Sequence, residues 1–295
     1  MPDPDDFENV FPLIPGLEGQ PVSVEPLPGG LTNRNFLLCV GDKNHVLRMA
    51  GADTNLLGID RAREILCQRA AAAVGVAPAV VASFPEHGVL VREYVPGRTL
   101  TAADFRDPAL VTRVAQALRR FHDAPLPDGI GVFSPFAAVR SYHRLAAQRN
   151  VAMPARLNDA LAHLRRIEDE LATDEPLALC HNDLLPGNFI DDGAQLRIID
   201  WEYAAAGDRF FDLGNLAVNL EFGPAEESAL LDAYFGAAQP DHLRRLRLMR
   251  LASDMREAMW GFVQAGISKL HTPDYYIDYG CKHLDRFLNA NQHLD

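Results

Sequence analysis

His181-Asn182-Asp183-Leu184-Leu185-Pro186-Gly187-Asn188 forms a polar loop, and after a short gap the chain reads Ile198-Ile199-Asp200. The hydrophobic residues before Asp200 predict a strand from Gln195 to Asp200. Phosphoryl transfer from a nucleotide needs a carboxylate that orients the attacking hydroxyl and accepts its proton, together with oxygen ligands for the metal ions that neutralise the phosphates. The two stretches offer Asp183 as the base, and Asn188 and Asp200 as metal ligands.

The same residues have a plainer interpretation. Asp183 and Asn188 can bond their own backbone in a polar turn, and Asp200 can cap a helix. A His-x-Asp triplet is common, but His-x-Asp-x4-Asn followed by a hydrophobic strand that ends in Asp is much rarer, which favours the catalytic interpretation. We interpret His181 as a structural histidine that fixes the loop.

The loop resembles the catalytic loop of the kinase-like phosphotransferases, which include aminoglycoside phosphotransferases and choline/ethanolamine kinases and share a fold with protein kinases. His181-Asn182-Asp183 and Asp200-Trp201-Glu202 stand where protein kinases have His-Arg-Asp and Asp-Phe-Gly. The likeness continues through Tyr203-Ala204 and Phe211-Asp212-Leu213-Gly214-Asn215, as in the choline/ethanolamine kinase branch with its bacterial members. It implies an α+β, two-lobed protein-kinase-like fold, with a small antiparallel-sheet N-lobe and a larger, mostly helical C-lobe. It also implies ATP and Mg²⁺ as cofactors.

Composition narrows the class of partner. The 295 residues are 48% hydrophobic and 23% charged, as in a soluble globular protein, and the length allows two lobes with sizeable cores. The formal net charge of −12 argues against nucleic acid as a partner and fits a small cationic alcohol as substrate. The acidic N-terminus predicts no signal peptide, and no stretch reaches the length of a membrane span, so we expect a cytoplasmic protein that does not bind a membrane. The composition does not indicate an oligomeric state.

The four cysteines are far apart in sequence and form no Cys-x-x-Cys pair. We expect reduced, buried thiols rather than a metal site or disulfides. They are Cys39, Cys67, Cys180 and Cys281.

The chain changes character near residue 95. Residues 1–20 are irregular, and the stretch up to residue 94 reads as strands with one helix, from Asp60 to Val74. After Pro96-Gly97 the pattern is helical, and the only strands expected there flank the turn at Asp192-Gly193. We therefore predict an N-lobe at 1–94 and a C-lobe at 95–295. The predicted strands are 22–27, 35–40, 45–49, 80–84 and 88–94. The predicted C-lobe helices are 108–123, 138–149, 155–172, 226–236, 241–266 and 273–290.

A glycine-rich turn lies between the first two predicted strands. Its glycines let the backbone approach phosphates, and free N–H groups in such a turn bind anions, although two glycines between strands also fit a plain hairpin. The pattern resembles the nucleotide loop of choline kinases and lies where that loop is expected. The resemblance implies nucleotide-binding roles for Gly29, Gly30, Thr32 and Asn33.

Arg48 occupies the strand position where protein kinases carry their phosphate-binding lysine, and choline-kinase-like chains commonly have arginine there. Arginine can clamp phosphate oxygens with two donors at once. Its expected partner is Glu64, which shares a helix face with Arg61; the alternative is a surface salt bridge of little energetic value. By resemblance, Glu93 and Val95 lie in the hinge between lobes, where their backbone groups would bond adenine.

The acceptor site is predicted from the C-terminal helices. There the sequence resembles choline kinases, in which aromatic rings surround a quaternary ammonium. Trp260 and Tyr279 are the matching rings, although a tryptophan on an amphipathic helix can equally be core. Two residues depart from the eukaryotic pattern: Glu257 replaces a second tryptophan and Leu185 replaces a glutamine. An acidic residue beside the rings would suit a primary or secondary amine, which donates hydrogen bonds.

Two further acidic residues could lie on the acceptor side. Glu202 and Glu221 are candidates, with Glu221 two residues out of step with the family's glutamate. We expect Asp212 to cap a helix and brace the catalytic loop rather than touch substrate.

These features predict an ATP- and Mg²⁺-dependent kinase that phosphorylates the hydroxyl of an amino-alcohol, with choline or ethanolamine first. Another small-molecule kinase of the same fold, acting on an aminoglycoside, thiamine or a sugar-like alcohol, is the nearest alternative. A non-catalytic nucleotide-binding pseudokinase is an alternative of another class, against which the joint presence of Asp183, Asn188 and Asp200 argues. A protein kinase is disfavoured because no activation segment follows Asp200.

Overall fold

The computed structural model describes residues 14, 22–27, 33–51, 54–172 and 175–291. The first of its sheets has five antiparallel strands in the order β1-β2-β3-β5-β4. Alternate residues of β2, such as Leu38 and Val40, are buried, as a sheet with one covered face requires. The strands are β1 Val22–Leu27, β2 Asn33–Val40, β3 Lys43–Ala50, β4 Val80–Phe84 and β5 Val89–Glu93.

One helix, α1 (Arg61–Ala73), packs against this sheet and carries Arg61 and Glu64. Asp60 caps its N-terminus by accepting hydrogen bonds from the N–H groups of Ala62 and Arg63. Gly75 follows its end in the left-handed conformation, with φ 74°. The sheet with its single helix forms the small lobe that the sequence predicted.

The rest of the chain is mainly helical. The helices are α2 Pro108–His122, α3 Pro135–Gln148, α4 Leu157–Leu171, α5 Arg209–Asn219, α6 Pro224–Phe235, α7 Pro240–Ile267 and α8 Pro273–Asn291. Helix α7 is the centre of this lobe, and it packs against α3, α5 and α8. A Cβ on Gly261 of α7 would lie 2.8 Å from the backbone nitrogen of Gly280 in α8, so glycine allows the two helices to approach closely.

The prediction of only two strands in this lobe was wrong. Strands β8 (Phe189–Asp191) and β9 (Leu196–Ile198) flank the predicted turn, but β6 (Arg98–Thr99) joins them to form a three-stranded sheet. A further pair consists of β7 (Ala178–Cys180) and β10 (Ala205–Gly207), which lie on either side of the catalytic loop in sequence. These additional strands have two or three residues, too few to show a periodic pattern.

Helix α5 was also missed. Every residue from Phe210 to Val218 is buried, so the segment has no polar face whose spacing would indicate a helix. It contains Gly214 and Asn215, which have low helix propensity. Packing against α7 therefore determines this helix more than its own sequence pattern does.

The four cysteines are free, as predicted. Cys67 and Cys180 are buried, but Cys39 and Cys281 are only half-buried, so the prediction of burial holds for two of the four. Among the described helices, none combines the length and the apolar character that crossing a bilayer requires.

Candidate active site

The catalytic loop is held by one buried carboxylate. Loop residues His181 and Asn182 follow directly after β7, and Asn182 has a left-handed backbone with φ 66°. Asp212 accepts hydrogen bonds from the N–H groups of both residues, each at 2.7 Å. The expectation that Asp212 braces the loop is confirmed, but the expectation that it caps a helix was wrong. Asp208 caps α5, and Asp212 lies within its first turn.

His181 has the structural role predicted for it. Its Nε2 is 2.9 Å from the carbonyl oxygen of Ile199, and its Nδ1 accepts the N–H of Asp183 at 3.2 Å. This pattern fits a neutral ring with the proton on Nε2. Burial lowers the pKa of His181, which favours the neutral form. The imidazole thus joins the loop to the strand that leads to Asp200.

The three residues predicted for catalysis and metal binding lie at one place. The Asn188 amide donates to the carbonyl oxygen of Asp183 at 2.8 Å, and the N–H of Ile199 donates to the carbonyl oxygen of Asn188 at 2.9 Å. These bonds bring the loop against Ile199, the residue before Asp200. Asp200 itself has a left-handed backbone with φ 67°. The alternative in which Asp200 caps a helix is wrong, because β9 precedes it and a turn follows.

The electrostatics of the two carboxylates suit a bound cation. Burial raises the pKa of Asp183 to about 6, and the charge of Arg256 opposes the increase. Burial also raises the pKa of Asp200 to about 8, with repulsion from Glu202 adding to it. A divalent cation beside them would offset this desolvation, and carboxylate and amide oxygens are the donors that Mg²⁺ prefers. The residues present therefore fit magnesium.

The predicted phosphate-binding arginine is held as expected. Arg48 on β3 and Glu64 on α1 are both buried and form a hydrogen-bonded ion pair. Glu64 also accepts a hydrogen bond from Arg61 at 2.9 Å, so the pair is part of a buried network and not a surface salt bridge.

A small cavity adjoins this network. Arg92 lines it together with Arg48, Asn33 and Asp200. Sequence analysis missed Arg92, because an arginine near the end of a strand gives no signal until the fold places it opposite Asp200.

The structure describes only some of the other residues that were predicted to bind the nucleotide. Gly29, Gly30 and Thr32 lie outside the described residues. Asn33, the first residue of β2, donates to Glu202 at 2.8 Å. Glu93 ends β5, and its N–H donates to the carbonyl oxygen of Ala79 at 2.9 Å, so this N–H is already engaged within the small lobe. Val95 follows in the segment without regular structure between β5 and β6.

The structure brings three of the predicted acceptor residues together. The Tyr279 hydroxyl donates to Glu257 Oε2 at 2.7 Å, and the rings of Trp260 and Tyr279 meet edge to face with centroids 5.6 Å apart. Trp260 Nε1 donates to the Tyr203 hydroxyl at 3.3 Å, and 9% of Trp260 is exposed. Trp260 is therefore packed like a core residue and also lies with Glu257 and Tyr279 in a set of predicted acceptor residues that we name the acceptor group.

Arg256 joins this group to the candidate base, and sequence analysis missed it. Its Nη1 donates to Asp183 Oδ1 at 3.2 Å and also pairs with Glu257. Its guanidinium carbon lies 4.4 Å from the centre of the Tyr203 ring. Burial alone would raise the pKa of Glu257, but the charges of Arg256 and His283, together with the hydrogen bonds from Tyr279 and Arg256, outweigh burial and lower the pKa. Glu257 is therefore an ionised, buried carboxylate that shares Arg256 with Asp183.

The two other acidic candidates have surroundings different from those of Glu257. Glu202 is buried and accepts hydrogen bonds from Asn33 and from Arg61, the latter at 3.1 Å, so it faces the small lobe. Glu221 is exposed in a turn after α5, with φ 52°.

The chain is similar to known phosphotransferases over most of its length. Residues 23–249 match the model of the phosphotransferase enzyme family. A probable ethanolamine kinase of Arabidopsis thaliana is 26% identical, and the match covers 84% of this chain and 74% of the relative. The crystal structure of a choline/ethanolamine kinase family protein from Mesorhizobium loti is 32% identical, with a TM-score of 0.80, and the match covers 97% of this chain and 94% of that one. Choline kinase LicA from Streptococcus pneumoniae, at 24% identity, has the same fold, with a TM-score of 0.79 and coverage of 97% and 98%.

Proposed function

Because this chain belongs to the phosphotransferase enzyme family, in its choline/ethanolamine kinase branch, we propose that it transfers a phosphoryl group from ATP to the hydroxyl of a small amino-alcohol, with choline or ethanolamine first. The site residues named below are part of this proposal. The observation that best supports an amino-alcohol as the acceptor is the net negative charge around Asp183 and Glu257.

Asp183 acts on the acceptor hydroxyl. Its pKa of about 6 leaves the carboxylate ionised at neutral pH. It accepts a hydrogen bond from the hydroxyl, holds the oxygen in line with the terminal phosphorus, and takes the proton as the new P–O bond forms. The bond between the terminal phosphorus and the leaving ADP oxygen breaks in the same step, and no covalent enzyme intermediate is required.

The nucleotide is held by groups from both lobes. Asn188 and Asp200 would hold Mg²⁺, which neutralises phosphate charge when it is bound. Glu64 orients Arg48, which lies beside the same cavity as Asp200 and can bond phosphate oxygens. This arrangement supplies positioning and charge neutralisation, which are the main requirements of phosphoryl transfer.

The acceptor group, taken together with Asp183 and Arg256, has a net negative charge. Asp183 and Glu257 contribute two carboxylates, and Arg256 contributes one guanidinium, which leaves a net charge of −1 in a buried, ring-lined region. A single positive charge on the acceptor would neutralise it, so an amino-alcohol fits better than an uncharged alcohol. An aminoglycoside or thiamine also carries positive charge, and these acceptors are the nearest alternatives. The four free cysteines suit a reducing compartment, and we place the reaction in the cytoplasm.

An ATP-consumption screen across ethanolamine, its methylated forms, choline, thiamine, aminoglycosides and uncharged alcohols tests the acceptor class. We expect turnover with amino-alcohols. Equal turnover with uncharged alcohols would contradict the amino-alcohol proposal and leave the kinase assignment in place.

Asp183→Asn tests the base. We expect its rate to fall about 100-fold or more while ATP affinity is retained, because a positioned base contributes about that much. Asp192→Asn is a matched control, since Asp192 is exposed in the turn between β8 and β9. A rate for Asp183→Asn within about tenfold of wild type, a barrier change near 1.4 kcal/mol, would remove Asp183 from this role.

A further inference from the structure

The ring-lined part of the acceptor site already contains a cation. We use the name ring box for Tyr203, Trp260 and Tyr279. The Arg256 guanidinium lies over the Tyr203 ring at 4.4 Å, and Trp260 and Tyr279 adjoin it through hydrogen bonds to Tyr203 and Glu257. Aromatic faces beside carboxylates are the surroundings that bind an organic cation. In this chain the cation that occupies them is its own side chain.

Arg256 is held beside the ring box mainly by charge, because its hydrogen bonding is incomplete. Its Nη1 serves both Asp183 and Glu257, whereas its Nε and Nη2 are buried and have no hydrogen-bond partner among the described residues. Unpartnered buried donors carry a desolvation cost. The two carboxylates and the Tyr203 ring offset that cost, so the guanidinium depends on the same features that would attract a substrate cation.

A second cation cannot share this position. A quaternary ammonium gains its affinity from ring faces, because it has no N–H group to donate. Beside Arg256 any ammonium would meet a buried like charge, but a quaternary one also finds the Tyr203 ring covered and has no N–H group with which to offset the repulsion. A primary or secondary ammonium can instead donate hydrogen bonds to the remaining lone pairs of Glu257 and Asp183. The two carboxylates carry one more negative charge than the single positive charge of Arg256 balances.

We propose that Arg256 is a specificity-determining residue that fills the ring box and so favours primary and secondary amino-alcohols over choline. This inference rests on the proposed amino-alcohol function and narrows it. Removing the guanidinium vacates the box and leaves rings and two carboxylates, which is a site for a quaternary ammonium.

Calorimetric titration tests the proposal without turnover. The probes are methylammonium and tetramethylammonium chloride, applied to the wild type and to Arg256→Ala. We expect the wild type to bind tetramethylammonium at least about tenfold more weakly than methylammonium, a difference of about 1.4 kcal/mol. Arg256→Ala should reverse this preference, and it should also bind guanidinium chloride, which the wild type should not.

Kinetics with ethanolamine and choline give a second readout. The ratio of kcat/KM for choline to that for ethanolamine should rise at least about tenfold in Arg256→Ala, even if both values fall because Asp183 has lost a partner. Arg245→Ala is the matched control. Arg245 is a buried arginine of the same helix, paired with Asp208 at 2.9 Å and placed over the Phe210 ring at 5.1 Å, so its loss should leave the ratio unchanged.

Several outcomes would overturn the proposal. They are wild-type binding of tetramethylammonium as tight as that of methylammonium, an unchanged choline ratio in Arg256→Ala, or the same change in Arg245→Ala. If Arg256→Ala does not fold, Arg256→Gln keeps most of the volume without the charge, and the wild-type titration stands by itself. Failure of the proposed amino-alcohol function would give a different result. No amino-alcohol would then support ATP consumption in any variant, whereas the titration would still report which cations bind in the ring box.

Discussion

Asp212→Asn should destabilise the protein strongly although the side chain keeps its size. Asp212 is fully buried, and its two oxygens accept the N–H groups of His181 and Asn182, each at 2.7 Å. One of them also lies 3.0 Å from Nε2 of His122. Asparagine replaces one oxygen with an NH₂ group, so a backbone N–H would face another donor. A lost hydrogen bond to a charged acceptor and an unpaired buried donor together cost about 2–4 kcal/mol.

Urea unfolding measures this cost. With a slope of about 2 kcal/mol per molar, a loss of 2–4 kcal/mol lowers the midpoint by about 1–2 M at constant slope. Asp123→Asn is the matched control. Asp123 lies 3.4 Å and 3.5 Å from the nearest nitrogens of Arg119 and Arg209 and is half exposed, and exposed pairs of this kind contribute about 0–1 kcal/mol. The rate of phosphoryl transfer should also fall in Asp212→Asn, because the loop that carries Asp183 loses its anchor.

Two results would refute this reasoning. One is a loss of stability below about 1 kcal/mol in Asp212→Asn, which would show that the loop holds its conformation without the carboxylate. The other is an equal loss in Asp123→Asn, since burial would then not be what gives the carboxylate its effect.

Two further predictions concern the metal site and the helix packing. Asp200→Ala should abolish Mg²⁺-dependent ATP binding in calorimetric titration, and Asn188→Ala should weaken it less, because a carboxylate is the stronger ligand for a hard cation; unchanged affinity in the Asp200 variant would place the metal elsewhere. Gly261→Ala should lower stability by about 1–3 kcal/mol in thermal or urea unfolding, because its Cβ would lie 2.8 Å from backbone atoms of α8. Gly187→Ala is the control, since a Cβ there meets no atom within 4 Å, and equal effects of the two changes would exclude close packing as the cause.

The parts of the site that could be predicted are those with a local pattern. The loop from His181 to Asn188 and the strand before Asp200 are close in sequence, and their residue types match their chemistry. The pairing of Arg48 with Glu64 was implied by the resemblance to kinase-like chains, and the structure contains it. In both cases the segments that meet are close in sequence, and the chain has few ways to arrange such neighbouring segments.

The missed features depend on distant contacts. Arg256 reads as a surface residue of a long helix, yet Asp183, 73 positions away in sequence, makes its burial possible. Helix α5 has no polar face, and β6 pairs with β8 although three helices separate the two strands in the sequence. The acceptor group was predicted in part, through Trp260, Tyr279 and Glu257, but its central residue was not.

Glu202 has a consequence for how the two substrates communicate. It lies two residues after Asp200 and directly before Tyr203 of the ring box, yet its partners Asn33 and Arg61 belong to the small lobe. A ligand that shifts the small lobe therefore also shifts the backbone that joins the proposed metal ligand Asp200 to the proposed acceptor site. Binding of ATP should change the affinity for the acceptor, and thermodynamic linkage requires the acceptor to change the affinity for ATP by the same factor.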